Sequence, residues 1–201
     1  ESFFEFYTKE VLYLNESVRT AFLYENIINI LKKIIANLKE EFLCCEFEPL
    51  EFELKIGDNC DIKPLKIQLE NGKYLKFIGS VDRVDKFVKN GTSYIRIIDY
   101  KTGNKEFKLK DVYNGINIQM LIYLFSIWNY SKEETVPAGI LYYPAKTKQI
   151  VLDKDSTYED VEKEMRKNFK RNGLLLDDEE ILLAMENPLN GRFIPVKLSS
   201  S

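Results

Sequence analysis

The sequence predicts an α+β domain, a central mixed sheet containing an antiparallel meander and flanked by helices. Three observations carry this expectation. Stretches with apolar residues every three to four positions occupy the start of the chain and recur after residue 110. Between them lie alternating, β-branched runs joined by two Asn-Gly turns, Asn71-Gly72 and Asn90-Gly91. A further apolar run, Gly139 to Tyr143, lies beyond the second helix, so helices and strands mix in the second half.

Each element has its own warrant. Ser2 to Tyr13 reads as a short helix with Phe3, Phe4, Tyr7 and Val11 on one stripe. Asn15 or Ser17 can cap a long helix to about Leu43, along which Phe22, Ile27, Ile30, Leu31, Ile34, Ile35 and Leu38 keep helical spacing. Pro49 opens an extended run, Phe52 to Ile56, and Asn59 to Pro64 is a loop. Leu65 to Leu69 alternates, Asn71-Gly72 turns it into Tyr74 to Asp85, and Asn90-Gly91 leads into Tyr94 to Lys101, a meander of at least four strands. A second strong helix is predicted from about Asp111 to Trp128, with Gly115 inside it. Strands follow at Gly139 to Tyr143 and Gln149 to Leu152, then helices at Tyr158 to Lys170 and Asp177 to Met185. Residues 1–45 read as an N-terminal helical segment and 46–201 as one core with C-terminal helices. The opening at Glu1 inside an amphipathic stretch, and the ending in three serines, suggest a piece of a longer protein.

Bulk properties narrow the function. The 201 residues are 45% hydrophobic, enough for a core, and no apolar run approaches the ~20 residues of a membrane span. No secretory signal opens the chain, so no membrane association is expected. Cys44, Cys45 and Cys60 fit neither zinc nor disulfide spacing, which suggests ordinary buried thiols in a reducing, cytoplasmic setting. There is no histidine, which excludes histidine-based triads, histidine-ligated zinc and histidine proton shuttles within this chain. The net charge of −3 means that nucleic-acid contacts must come from local lysines; Lys86, Lys105, Lys108, Lys110, Lys146 and Lys148 are the candidates.

The chemistry-bearing stretch is Gly79-Ser80-Val81-Asp82-Arg83-Val84-Asp85, followed by Ile97-Ile98-Asp99-Tyr100-Lys101-Thr102-Gly103. Charge inside apolar strands costs several kcal/mol unless paired or metal-bound. If Asn90 and Gly91 are the two loop residues of a type I′ hairpin, counting outward from Lys89 and Thr92 puts Asp82 directly opposite Asp99. Opposed residues share a face with Cβ atoms about 5 Å apart, and Lys101 joins them by the period of two. Asp85 falls on the other face and outside the site. Like charges directly opposed are destabilising, so two carboxylates with one amine make sense around a divalent cation. The plainer alternative is a structural ion network. On the second helix Gln119 and Tyr123 share a face, and a Gln on so apolar a helix is expected to be buried and hydrogen-bonded.

Together, Gly-Ser-Val-Asp at 79–82, Asp-Tyr-Lys at 99–101 and Gln-Met-Leu-Ile-Tyr at 119–123 resemble the PD-(D/E)xK nuclease superfamily, most closely its RecB-type branch. The flanking runs, among them Val112 to Gln119, Pro137 to Tyr143 and Asn172 to Asp178, are similar to the C-terminal nuclease domains of the AddB family, components of bacterial ATP-dependent helicase–nucleases. The likeness runs from about residue 20 to the end. It implies a restriction-endonuclease-like fold and a magnesium-dependent DNA exonuclease, with manganese as a substitute. That enzyme would act in double-strand-break repair on single-stranded DNA, beside an AddA-type helicase–nuclease subunit. Asp82 and Asp99 would ligate the metal with the Tyr100 carbonyl, Lys101 would stabilise the attacking water or the charge building on the phosphate, and Gln119 and Tyr123 would support the site. Two departures stand out. The branch often carries an upstream His or Glu as an extra ligand; only Glu25 and Glu53 offer themselves here. The family's iron–sulfur cysteines do not match Cys44, Cys45 and Cys60, so a cluster is expected only in a longer parent protein. The alternatives are a catalytically incomplete nuclease-fold module for DNA binding or subunit docking, and another enzyme of the superfamily, such as a CRISPR-adaptation or restriction-type nuclease.

Overall fold

The computed structural model describes residues 18–103, 107–131, 133–145, 155 and 157–196. The expected helix Ser2–Tyr13, the capping residues Asn15 and Ser17, and the expected strand Gln149–Leu152 lie outside the described residues. The elements are α1 (Val18–Phe42), β1 (Glu48–Ile56), β2 (Lys66–Gln68), β3 (Tyr74–Lys76), β4 (Gly79–Lys89), β5 (Thr92–Lys101), α2 (Leu109–Tyr113), α3 (Gln119–Tyr130), β6 (Thr135–Pro144), α4 (Tyr158–Lys167), β7 (Asn172–Leu175) and α5 (Glu179–Met185). The fold is α+β with a mixed sheet, as the sequence predicts.

The chain divides into two compact units, Glu1–Lys39 and Glu40–Ser201. In the first, α1 is a continuous amphipathic helix with Phe22, Leu23, Ile27 and Ile35 exposed. The last turn of α1, from Glu40, belongs to the second unit, which holds the sheet. No helix among the described residues is long and apolar enough to cross a membrane.

The five-stranded sheet runs β1-β4-β5-β6-β7; β5 and β6 are parallel, and the other neighbours antiparallel. Asn90 and Gly91 both have positive φ, 51° and 86°, the signature of a type I′ turn. The hairpin register accordingly starts at Lys89↔Thr92 and continues to Arg83↔Ile98.

Three expectations need correction, and one strand has no counterpart in the sequence reading. Tyr74 to Asp85 is not one strand: β3 ends at Lys76 and β4 begins at Gly79. Nor do four strands run as one meander, because β1 pairs along β4 from Glu48↔Lys86 to Ile56↔Gly79 and fills that edge. The β2–β3 hairpin therefore forms a sheet of its own. The second helix is two helices. Gly115 and Asn117 have φ of 74° and 59°, which ends α2 before α3 begins. The Gly115 N–H bonds to the Val112 carbonyl and the Ile116 N–H to the Asp111 carbonyl, the paired bonds of a helix terminated by a left-handed glycine. Strand β7 was not foreseen, since four residues of the pattern Asn-Gly-Leu-Leu carry little periodic signal.

One face of the sheet packs Val84, Ile95, Ile97 and Ile140 against Met120, Tyr123, Leu124 and Ile127 of α3. Helix α3 is apolar on most sides, as expected of a buried element. The opposite face carries a buried ionic cluster. Arg83 forks onto both Asp85 oxygens at 2.7 Å, and the Arg96 Nε donates to Asp85 at 2.9 Å. Glu41 faces Arg96 at 3.3 Å and Arg83 at 3.8 Å, and is paired with Arg171. All five side chains are at most 1% exposed. Aromatic rings flank the guanidiniums: Arg96 lies over Phe47, and Arg171 over Tyr143 and Phe193. Burial pulls the Arg83 pKa down, but the bond to Asp85 and the acidic neighbours outweigh it and hold the guanidinium above its usual range.

Candidate active site

Asp82 and Asp99 sit one step beyond the last register pair, Arg83↔Ile98, on adjacent antiparallel strands. At that step the ladder changes character. The Asp82 carboxylate accepts the Tyr100 backbone N–H at 2.7 Å, so a side chain takes the bond that a strand carbonyl would otherwise hold. The Lys101 amine is 2.5 Å from the Asp99 carboxylate; the lysine side chain is 32% exposed and the acid 16%. Solvent therefore reaches the pair, while the strands beneath it are buried. Asp85 lies on the other face with Arg83 and Arg96, where parity put it.

Gln119 and Tyr123 meet as the spacing predicts. Gln119 Nε2 donates to the Tyr123 hydroxyl at 2.8 Å, and that hydroxyl donates to the Ile78 carbonyl at 3.2 Å. The expectation of a buried Gln119 is overturned. It is exposed at the first position of α3, whereas Met120 beside it and Tyr123 one turn later are 4% and 3% exposed. Gly79 makes the contact feasible: a Cβ there would overlap the Tyr123 hydroxyl and approach Cζ to 2.6 Å.

Of the lysines, Lys86 is ion-paired to Glu133 at 2.7 Å, and Lys108 and Lys110 are exposed beside and on α2. Lys105, Lys146 and Lys148 lie outside the described residues. The three cysteines are free thiols, part-buried rather than fully buried. Burial raises the pKa of both Cys44 and Cys45. Among the described residues no group of three or more Cys, Asp or Glu is arranged to hold a metal. Glu53 lies level with Asp82 on β1, between Phe52↔Arg83 and Leu54↔Val81, but it is exposed with φ of 51°. Glu25, on α1, is exposed.

Tyr142 is a residue that sequence reasoning missed. It is level with Asp99 on β6 and 2% exposed. Burial, then the Asp99 charge, pushes its phenol pKa up. No local pattern marks it, since its nearness to Asp99 depends on the parallel β5–β6 pairing.

The donor set suits a hard divalent cation, which favours one or two carboxylates plus waters and phosphate oxygens. A carboxylate offers about four acceptor sites, so Asp82 can take one N–H and still face a cation. Two acids and an amine on neighbouring strands of a mixed sheet, with a Gln/Tyr helix against it, agree with the nuclease resemblance drawn from the sequence. A family model of the PD-(D/E)XK nuclease superfamily matches residues 10–192, and the chain belongs to that superfamily. It is 40% identical over 181 residues to the B subunit of the ATP-dependent helicase/deoxyribonuclease of Thermoanaerobacter pseudethanolicus, covering 89% of this chain and 16% of the relative. The like-named proteins of Clostridium tetani (39% over 182 residues; 89% of this chain, 16% of the relative) and Clostridioides difficile (35% over 195 residues; 92% and 17%) are similar too. The likeness to AddB-type proteins is thus borne out, and the chain spans about one-sixth of their length.

Proposed function

We propose that this chain is the nuclease module of a helicase–nuclease and hydrolyses DNA phosphodiesters at the Asp82–Asp99–Lys101 fork. The observation that carries the reading is the Asp82 carboxylate accepting the Tyr100 N–H while Lys101 pairs with Asp99. That arrangement puts two acids and one amine at a solvent-reached point of the sheet. Asp82 and Asp99, with the Tyr100 carbonyl, would hold Mg2+ or Mn2+. A divalent ion held there supplies polarisation of the phosphoryl group and acidification of a water. Lys101 places a positive charge where the phosphate gains negative charge, the preorganised stabilisation that costs no rearrangement at the moment of reaction. Gln119 and Tyr123 brace the start of β4, which leads into Asp82.

The substrate is single-stranded DNA delivered by an AddA-type helicase–nuclease partner, with exonucleolytic cleavage during double-strand-break repair in the cytoplasm. An iron–sulfur cluster belongs to a longer parent protein. A second reading has one observation in its favour: no third acidic ligand joins the pair among the described residues. On that reading the module binds DNA or docks a subunit without cutting. The test is turnover of an end-labelled single strand with Mg2+ by the full chain, alone and with its helicase partner. Asp99→Ala and Lys101→Ala should each lower the rate at least about 100-fold, the scale of losing a preorganised charge in a catalytic site. Parental rates in either variant remove the proposed site. Tight DNA binding with no turnover under any of these conditions selects the docking module.

A further inference from the structure

Tyr100 faces both sides of the proposed site. Its backbone N–H is held by Asp82 on the site face, and its phenol oxygen accepts from the Arg83 Nη1 at 3.0 Å on the opposite face. The last β4–β5 register pair is Arg83↔Ile98, so the Arg83–Tyr100 bond crosses between the strands just where they fork. Arg83 is itself fixed at two points by Asp85, and Asp85 by Arg96, with Glu41 behind both guanidiniums. The Tyr100 ring packs on Tyr143 at 5.1 Å, and Tyr143 lies under Arg171 at 4.4 Å. Along each strand the residues alternate in role: Asp82 is followed by Arg83, and Tyr100 lies between Asp99 and Lys101.

We infer that the Tyr100 hydroxyl and the buried Arg83–Asp85–Arg96–Glu41 cluster are a positioning device that sets how far the β4–β5 fork opens, and so the separation of the two carboxylates. Tyr100 and Arg83 touch neither substrate nor metal through their side chains; they act through the backbone between the proposed ligands. The inference rests on the active-site reading above. It explains why so costly a cluster lies under this point of the sheet: its charge-assisted hydrogen bonds hold Arg83, Asp85 and Glu41 in one arrangement, even with the Arg96 Nη1 left without a hydrogen-bond partner, and cation-binding carboxylates need a fixed spacing.

Tyr100→Phe removes one oxygen and leaves the ring stacked. In the full chain two quantities are measured: Mn2+ affinity by calorimetry without DNA, and hydrogen exchange of the 98–101 backbone. Mn2+ affinity should fall roughly 3- to 10-fold, the worth of one hydrogen bond, and exchange at Tyr100 should quicken by a similar factor. Ile181→Val, a core truncation on α5, is the control for general loosening and should alter neither. The inference is overturned if either quantity stays parental in Tyr100→Phe, or if Ile181→Val shows the same losses. A parent whose Mn2+ binding is absent, or survives Asp99→Asn, refutes the active-site reading itself. That result is distinct from a Tyr100→Phe variant that behaves like a metal-binding parent.

Discussion

Replacing Gly79 with alanine should cost the protein about 3 kcal/mol, and the reason lies in one tyrosine. The added methyl would overlap the Tyr123 hydroxyl and lie 2.6 Å from Cζ and 3.4 Å from Cε2. Tyr123 is 3% exposed and packed in the α3 layer, so it cannot swing into solvent. To make room it must give up its bond to the Ile78 carbonyl and the bond from Gln119. Two hydrogen bonds at about 0.5–1.5 kcal/mol each, with about 1–3 kcal/mol for overpacking, bracket the loss between about 2 and 6 kcal/mol. The lower half is favoured because Gln119 is exposed, so water can replace the bond it loses. Urea unfolding reads this directly: with a slope of about 2 kcal/mol per M, the midpoint should drop by roughly 1–2 M. Tyr123→Phe alone loses only the two bonds. In the Tyr123→Phe background Gly79→Ala should cost at least about 0.5 kcal/mol less than in the parent, since the overlapping oxygen is gone. A Gly79→Ala variant within about 0.5 kcal/mol of the parent refutes the packing argument. So does a double mutant whose losses simply add.

Two further outcomes follow from the other face of the sheet. Asp85→Asn leaves Arg83 and Arg96 with Glu41 as the remaining acid of the cluster and should destabilise by about 3–5 kcal/mol, as removing one partner of a buried ion pair does; a loss under about 1 kcal/mol would mean that water reaches the cluster. The Tyr143 phenol has its pKa raised by burial, partly offset by Arg171. Because the fold keeps this phenol neutral, its contribution is intact below the unfolded value of about 10 and is lost as pH rises through the folded value. Thermal midpoints should therefore hold up to about pH 9 and decline above 10. Tyr143→Phe should shallow that decline, and an unchanged slope would show that other groups cause it.

Much of the candidate site is legible in the chain because its geometry is short-range. Asn90-Gly91 accepts two positive φ angles, which sets Lys89 against Thr92, and strict alternation then carries Asp82 to the level of Asp99 and sends Asp85 to the far face. No distant residue is needed for any of those steps. The i, i+4 spacing of Gln119 and Tyr123 is equally local. Where the second helix breaks was half-legible: Gly115 was visible, but an apolar rhythm on both sides masked a terminator as an interior glycine.

The remaining features depended on competition between distant segments. Strand β4 could pair with β3, its neighbour in sequence, or with β1; the nine-residue β1 offers the longer ladder and takes the edge. The ionic cluster joins Glu41 to Arg171 across 130 positions, and its arginines look like ordinary strand charges until Glu41 and Arg171 are brought against them. Tyr142 comes to the level of Asp99 only through a parallel crossover. The sequence by itself thus determined the hairpin and the pair of acids on it, since turn dihedrals and strand parity are properties of neighbours. Which strand lies beside them, and what is buried beneath them, was decided by the tertiary structure, because partner choice and desolvation are settled only when remote residues share the same space.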